Sequence, residues 1–199
     1  MPFLIKNLRY HKIHPIDLLI NDGECIGLSG PSGSGKSLFL RALADLDPHD
    51  GDVRLDDMWR HDCKPHEWRK KVGLLPAESQ WWFDTVGSHF VKYDRDYLDR
   101  LGFETAVMGW ETSRLSSGEK QRLALLRLLA NQPKVLLLDE PTANLDRTYA
   151  GQVESILADY RASNNAALLW VSHDQDQLSR VADRLFEIKD KQIVEVTHG

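Results

Sequence analysis

Eight residues, Gly30-Pro31-Ser32-Gly33-Ser34-Gly35-Lys36-Ser37, restrict this chain more than any other stretch. They fit G-x-x-x-x-G-K-[ST] and follow an apolar run, Glu24 to Ser29, that reads as a buried strand. After them a helix is predicted from Lys36 to about Leu46, closed by Asp47-Pro48. Such a loop curls backbone N–H groups around phosphate oxygens. Lys36 adds a point charge, and the Ser37 hydroxyl can ligate Mg²⁺. Further strands are predicted at Phe3 to Leu8, Asp17 to Ile20, Asp52 to Leu55, Val72 to Leu75, Val135 to Asp139 and Ala167 to Ser172. LFEI and QIVEV read as a closing hairpin around Asp190-Lys191. Helices fall between the strands, one with Val153, Ile156, Leu157 and Tyr160 on a single face. The alternation implies an α/β fold with a mainly parallel sheet covered on both faces.

The 199 residues suit one domain, expected over 1–199, with a small helical insertion over 76–114 where the periodic pattern loosens. Within it a short helix is expected from Asp94 to Leu101. A net charge of −5 lacks the basic character of a nucleic-acid binder. Two cysteines make no disulfide framework, and Cys25 reads as a small buried residue. The start, MPFLIKN, has no signal-peptide core, and the apolar run Ala166 to Val171 is far short of the ~20 residues a membrane helix needs. A cytoplasmic protein is expected, with any membrane role exerted through a partner.

Two more constellations carry chemistry. KVLLLDE, Lys134 to Glu140, is an apolar strand ending in two carboxylates, which places Asp139 at the carboxyl end of the sheet beside the phosphate loop. Asp139 suits the Mg²⁺ shell, and Glu140 suits polarising an attacking water. LSSGEKQR, Leu115 to Arg122, is a second glycine-serine loop, entering a helix predicted from Glu119 to Asn131. Ser116 or Ser117 can cap that helix, with Glu119 in its first turn. The same N–H groups could bind a γ-phosphate. A chain this small has no obvious use for two phosphate loops, unless the second serves the nucleotide of another copy.

Together these residues resemble the ATP-binding cassette (ABC) ATPases, P-loop NTPases that power ABC transporters, over nearly the whole chain. GPSGSGKS resembles the Walker A loop, extended to Leu38. LSSGE, with Ser116, Ser117, Gly118 and Glu119, resembles the signature LSGGQ. VLLLDE resembles Walker B and the catalytic Glu. Ala143-Asn144-Leu145-Asp146 resembles the D-loop, His173 the switch histidine, and Tyr10 the aromatic that stacks on adenine, with packing at the sheet edge as the other reading of Tyr10. The resemblance implies a parallel core sheet with a small antiparallel N-terminal β part and ATP and Mg²⁺ as cofactors. It also implies a head-to-tail homodimer with two ATP between subunits, and a separate membrane permease that holds the protein at the inner face of the cell membrane. Compact bacterial exporter-type cassettes, iron-exporter subunits among them, are similar in KVLLLDE and LLWVSHDQDQ.

One position departs from that pattern. Where the family has a Gln after the strand Val72 to Leu75, this chain has Ala77, and a methyl group can ligate nothing. Glu78 or Gln80 could substitute; Glu78 offers an oxygen ligand, and a plain surface loop is the other reading. Trp81-Trp82-Phe83 reads either as a docking anchor or as a satellite of the core. His61 to His66 has no zinc spacing and reads as a polar surface loop. Two functional alternatives stand beside the transporter subunit: a soluble ABC ATPase of a cytosolic assembly complex, and a low-turnover ATP sensor.

Overall fold

The computed structural model describes residues 2–196, so Met1 and 197–199, the ends of the expected domain, lie outside the described residues. The central sheet has the order β10 (Gln192–Val196), β9 (Arg184–Lys189), β3 (Cys25–Ser29), β8 (Ala167–Val171), β7 (Val135–Asp139) and β6 (Val72–Leu75). Every neighbouring pair is parallel except the β9–β10 hairpin. Parallel strands covered on both faces need apolar residues at consecutive positions. CIGLS, VLLLD and ALLWV supply them, and every residue of the three is buried.

The pleat divides those residues between two cores. Leu137, Leu169 and Val171 face a core shared with a four-stranded antiparallel sheet, in the order β2 (Ile16–Ile20), β1 (Phe3–Arg9), β4 (Asp50–Leu55) and β5 (Met58–Trp59), and with α1 (Lys36–Leu43). Leu136, Leu138 and Trp170 face the other core. It is filled by Leu123 and Leu126 of α4 (Ser117–Leu129), Ile156 and Leu157 of α5 (Arg147–Asn164) and Leu178 of α6 (Gln175–Val181). Val86, Leu98, Leu101, Phe103 and Val107 join this second core from the 76–114 segment. That segment holds one α-helix, α3 (Arg95–Arg100), whose cap Asp94 accepts the N–H groups of Asp96 and Tyr97, and three short 3₁₀ helices.

Two local expectations are corrected. Helix α1 stops at Leu43 rather than near Leu46, because the chain leaves the helix through Asp45 at φ 56°. The stretch from His61 to His66, expected to be loop, runs into a further helix, α2 (Pro65–Lys71). Pro65 starts it, the Glu67 carboxylate accepts the Lys64 N–H, and the buried Trp68 anchors it by donating its indole N–H to the Leu43 carbonyl at 2.9 Å.

Candidate active site

The register aligns the carboxyl ends of three strands. Leu28 of β3 lies opposite Val171 of β8, which lies opposite Asp139 of β7. The phosphate loop, Glu140 and His173 therefore leave the sheet along one edge, where open parallel sheets place their ligands. In the loop, Gly33 and Gly35 have φ of 77° and 102°, left-handed values that strain a side-chain-bearing residue. They set the N–H groups facing inward at the N-terminus of α1. The buried Lys36 ammonium donates to the carbonyls of Gly30 and Pro31 at 2.7 and 3.1 Å, which centres the charge in the loop. Burial lowers the Lys36 pKa, opposed by the negative charges of Glu140 and Asp139.

Asp139 is buried at the end of β7 and makes no side-chain hydrogen bond among the described residues, so its oxygens are free for a cation shell. With the Ser37 hydroxyl it suits Mg²⁺, which takes one or two protein oxygens and completes its shell with phosphate and water. Among the described residues no cluster of three His, Cys, Asp or Glu side chains forms a metal cage. Glu140 adopts φ 49°, held there by its N–H on the Val171 carbonyl at 3.0 Å. This aims its carboxylate at His173, whose Nε2 lies 3.7 Å from Oε1. That oxygen is buried without a hydrogen-bond partner. Burial raises the Glu140 pKa, partly offset by His173. A desolvated carboxylate with an unspent oxygen is suited to take a proton from water. The His173 side chain is 54% exposed.

The second loop is built differently. Ser116 caps α4 in a closed box: its hydroxyl accepts the Glu119 N–H at 3.3 Å, and the Glu119 carboxylate accepts the Ser116 N–H at 2.8 Å. The Ser116 N–H on that carboxylate is the main reason the Glu119 pKa falls. Gly118 packs so closely that a Cβ there would lie 2.9 Å from the Asn144 carbonyl. Asp146 caps α5, accepting the Tyr149 N–H at 2.9 Å. Ser116 and Ser117 are exposed, and neither lines the 420 Å³ cavity beside the first loop.

Of the two readings of Tyr10, its surroundings match the packing one. It is 4% exposed, stacks on Phe39 at 5.4 Å, and its edge would lie 3.6 Å from a Cβ on Gly35. It supports the phosphate loop from inside, and burial pushes its hydroxyl pKa well above the ordinary range. The cavity beside the loop is lined instead by His11, Lys12, Ile13, Pro31, Gly33 and Ser34, with Glu187 to Lys191 closing its far side. A larger cavity, 640 Å³, lies at the opposite end of the strands among Asp22, Asp56, Asp57, Lys71 and Lys134, remote from this chemistry.

Glu78 is exposed and is not among the carboxylates that bear on Lys36. The loop around it is held by residues the sequence reading passed over. Gln121 of α4 accepts from the Ser79 hydroxyl and donates to the Pro76 carbonyl, and Arg127 donates to the Gln80 carbonyl. Gln121 was discoverable: it stands four residues before Leu125 and eight before Leu129, a polar residue on a buried helix face. Trp82 is 65% exposed and Phe83 is exposed beside it, at the rim of a 480 Å³ groove lined by Arg41, Arg69, Leu74, Pro76, Arg127 and Leu128. His89 steadies this pair: its Nε2 accepts the N–H groups of Trp82 and Phe83 at 3.0 and 3.1 Å.

The comparisons with known proteins agree with this geometry. The family model described as ABC transporter matches residues 13–143. The chain is 35% identical to Protein STAR1 of Oryza sativa subsp. japonica over 198 residues, covering 91% of this chain and 56% of that protein's length. It is 30% identical to the energy-coupling factor transporter ATP-binding protein EcfA2 of Staphylococcus aureus (strain USA300) over 210 residues, covering 95% of this chain and 73% of the relative. The fold superposes with a TM-score of 0.83 on the dimeric post-hydrolysis ATP-binding cassette MJ0796 bound to ADP and Pi, at 24% identity with both chains fully covered. The class is that of the P-loop ATPases with a signature loop. Within it, the chain belongs to the ABC transporter family, as one of its ATP-binding ATPase domains.

Proposed function

We propose that the chain binds and hydrolyses Mg·ATP as one half of a head-to-tail homodimer, and that it drives a separate membrane permease. The observation that carries this reading is the separation of the two loops. The first has its lysine, Asp139 and Glu140 gathered at one sheet edge, whereas Ser116 and Ser117 of the second are exposed and line no part of the cavity beside the first. In the dimer, Gly30 to Ser37 and Leu38 of one subunit hold the triphosphate, and Ser116, Ser117, Gly118 and Glu119 of the other close over its end. The adenine lies in the cavity at His11, Lys12 and Ile13. Ser37 and Asp139 would hold Mg²⁺, which would supply neutralisation of the phosphate charge. Glu140 accepts the water's proton, and His173 fixes its orientation.

Closure follows from contacts that the γ-phosphate makes with both loops only in the paired state. Hydrolysis removes those contacts and lets the pair open. MJ0796, similar in fold, was seen as a dimer with ADP and Pi, and EcfA2 is named as a transporter ATP-binding protein; both are in keeping with this assignment. Among the described residues no helix is long and apolar enough to cross a membrane. The permease's docking place is the groove at Trp82 and Phe83, where exposed aromatics offer anchors for an amphipathic helix.

The test is turnover together with capture. Wild type should hydrolyse ATP only with Mg²⁺, and Glu140→Gln should bind ATP without turning it over. Tagged protein drawn from detergent-solubilised membranes should bring down a permease, and Trp82→Ala/Phe83→Ala should lose it while keeping basal turnover. Unchanged hydrolysis in Glu140→Gln would refute the catalytic assignment. Capture from the soluble fraction alone would favour an assembly factor.

A further inference from the structure

Glu140 and His173 leave two different strands, and their 3.7 Å separation depends on how the segments beyond those strands meet. On one side Glu140 opens a tight turn, closed by the Ala143 N–H on its carbonyl at 3.2 Å, with Thr142 inside it. On the other side His173 precedes Asp174, the cap of α6, whose carboxylate accepts the Gln177 N–H at 2.9 Å. Helix α6 has seven residues and buries only two of them, Gln177 and Leu178. Leu178 seats it on the sheet, where its Cδ2 would lie 3.3 Å from a Cβ on Gly27. Gln177 ties it sideways. It is 4% exposed and commits both ends of its amide. Nε2 donates to the Glu154 carboxylate at 2.7 Å and to the Thr142 hydroxyl at 2.9 Å, and Oε1 accepts from that hydroxyl at 3.2 Å. The same Glu154 oxygen accepts from Arg180 at 3.3 Å. One side chain therefore joins the turn that begins at Glu140, the helix that follows His173, and α5.

We propose that Gln177 is a positioning residue that holds His173 against Glu140 by clamping α6 to the turn at Thr142. The proposal rests on the catalytic reading of Glu140 and His173 above. A helix of two turns with one apolar anchor has little else to fix its first turn, and the exposed His173 stands directly before that turn. An amide suits both partners, since it offers a donor to the Glu154 carboxylate and an acceptor to the Thr142 hydroxyl from one planar group. A Glu in its place would set a second carboxylate at the 2.7 Å contact with Glu154 and replace a hydrogen bond by repulsion. The clamp touches neither the phosphate loop nor Lys36, so it bears on the geometry of the pair and not on the grip on triphosphate. A Gln177 that only stabilised the fold would lower Tm and leave the Glu140–His173 contact as it is.

The experiment uses the full chain with isotope-labelled histidine, the His173 imidazole resonance being assigned by its loss in His173→Ala. The first readout needs no nucleotide: the change in that resonance on Glu140→Gln measures the contact of the pair. With Gln177→Glu or Thr142→Val as background, the change should fall by more than half. The second readout is steady-state turnover with Mg·ATP, in which kcat should fall by about 10- to 100-fold while KM stays within about twofold. The double variant Gln177→Glu/Glu154→Gln moves the amide to the other side of the same bond and should restore more than half of the resonance change. Thr142→Val keeps the side-chain shape and carries the test should Gln177→Glu fail to fold. The clamp is overturned by a resonance change of full size in both single backgrounds, or by a double variant that recovers Tm and not the resonance change. A wild type that binds Mg·ATP without turnover refutes the catalytic reading above, and the nucleotide-free resonance still decides the clamp.

Discussion

The two glycine-serine loops look alike in sequence and differ in how their polar groups are spent. The first is built inward. Its lysine is buried, its glycines hold left-handed angles, Tyr10 and Phe39 pack beneath it, and two carboxylates stand at the same sheet edge. The second is built outward. Its serines are exposed, its cap is satisfied by its own Glu119, and behind it Gly118 rests on Asn144. One loop is the wall of a site with its chemistry in place. The other is a rigid surface presented to something else.

The first loop's side of the contrast breaks most severely at its base. Glu140→Gln removes the carboxylate proposed to accept the water's proton and should lower kcat by about 10²- to 10⁴-fold, read by phosphate release. Lys36→Ala removes the central charge and should weaken triphosphate binding by about 10- to 100-fold in calorimetry, the range for a lost charged hydrogen bond. The second loop is vulnerable through its seat. Gly118→Ala drives a methyl group against the Asn144 carbonyl and should cost about 1–3 kcal/mol, seen as a Tm lowered by several degrees.

A smaller effect sharpens the electrostatic side. Burial raises the Glu140 pKa in the folded protein, so its ionisation at neutral pH opposes folding. The stability it contributes is full below its unfolded pKa and is lost as pH rises through the folded value. Nucleotide-free Glu140→Gln should therefore melt above wild type at pH 7, and the gap should close as pH falls toward 4. A gap that widens on acidification would show the sign to be wrong. Smallest of all, Tyr10→Phe deletes a buried hydroxyl with no partner. It should leave ATP affinity within about twofold and stability unchanged or slightly higher, whereas an adenine platform would show a lasting loss of affinity on Tyr10→Ala even after stability is allowed for.

What could be read in advance followed from pattern strength. Val72–Leu75 and Val135–Asp139 match their expected bounds, because short apolar strands were flanked by clear breaks. The buried face of α5, Val153, Ile156, Leu157 and Tyr160, showed the full helical period. Helix α2 escaped because only Trp68 of its seven residues is buried, so it has no periodicity to detect. Strand β5 is two residues long. Tyr10 had two readings, adenine platform or packing residue, for a different reason: position along the chain says that an aromatic lies near the loop, and only packing says which side of the loop it fills. The grip of Gln121 on Pro76 and Ser79 spans more than forty residues and has no local trace in the sequence.

The central claim is that neither copy of the chain owns a complete ATP pocket, and the mass of the nucleotide-bound protein tests it most directly. Glu140→Gln should scatter as a monomer alone and as a dimer with Mg·ATP. Adding Ser117→Arg, which leaves the Ser116 cap intact, should return it to a monomer that still binds ATP at its first loop. A lone subunit enclosing Mg·ATP without change of mass, or a dimer indifferent to Ser117→Arg, would contradict the account.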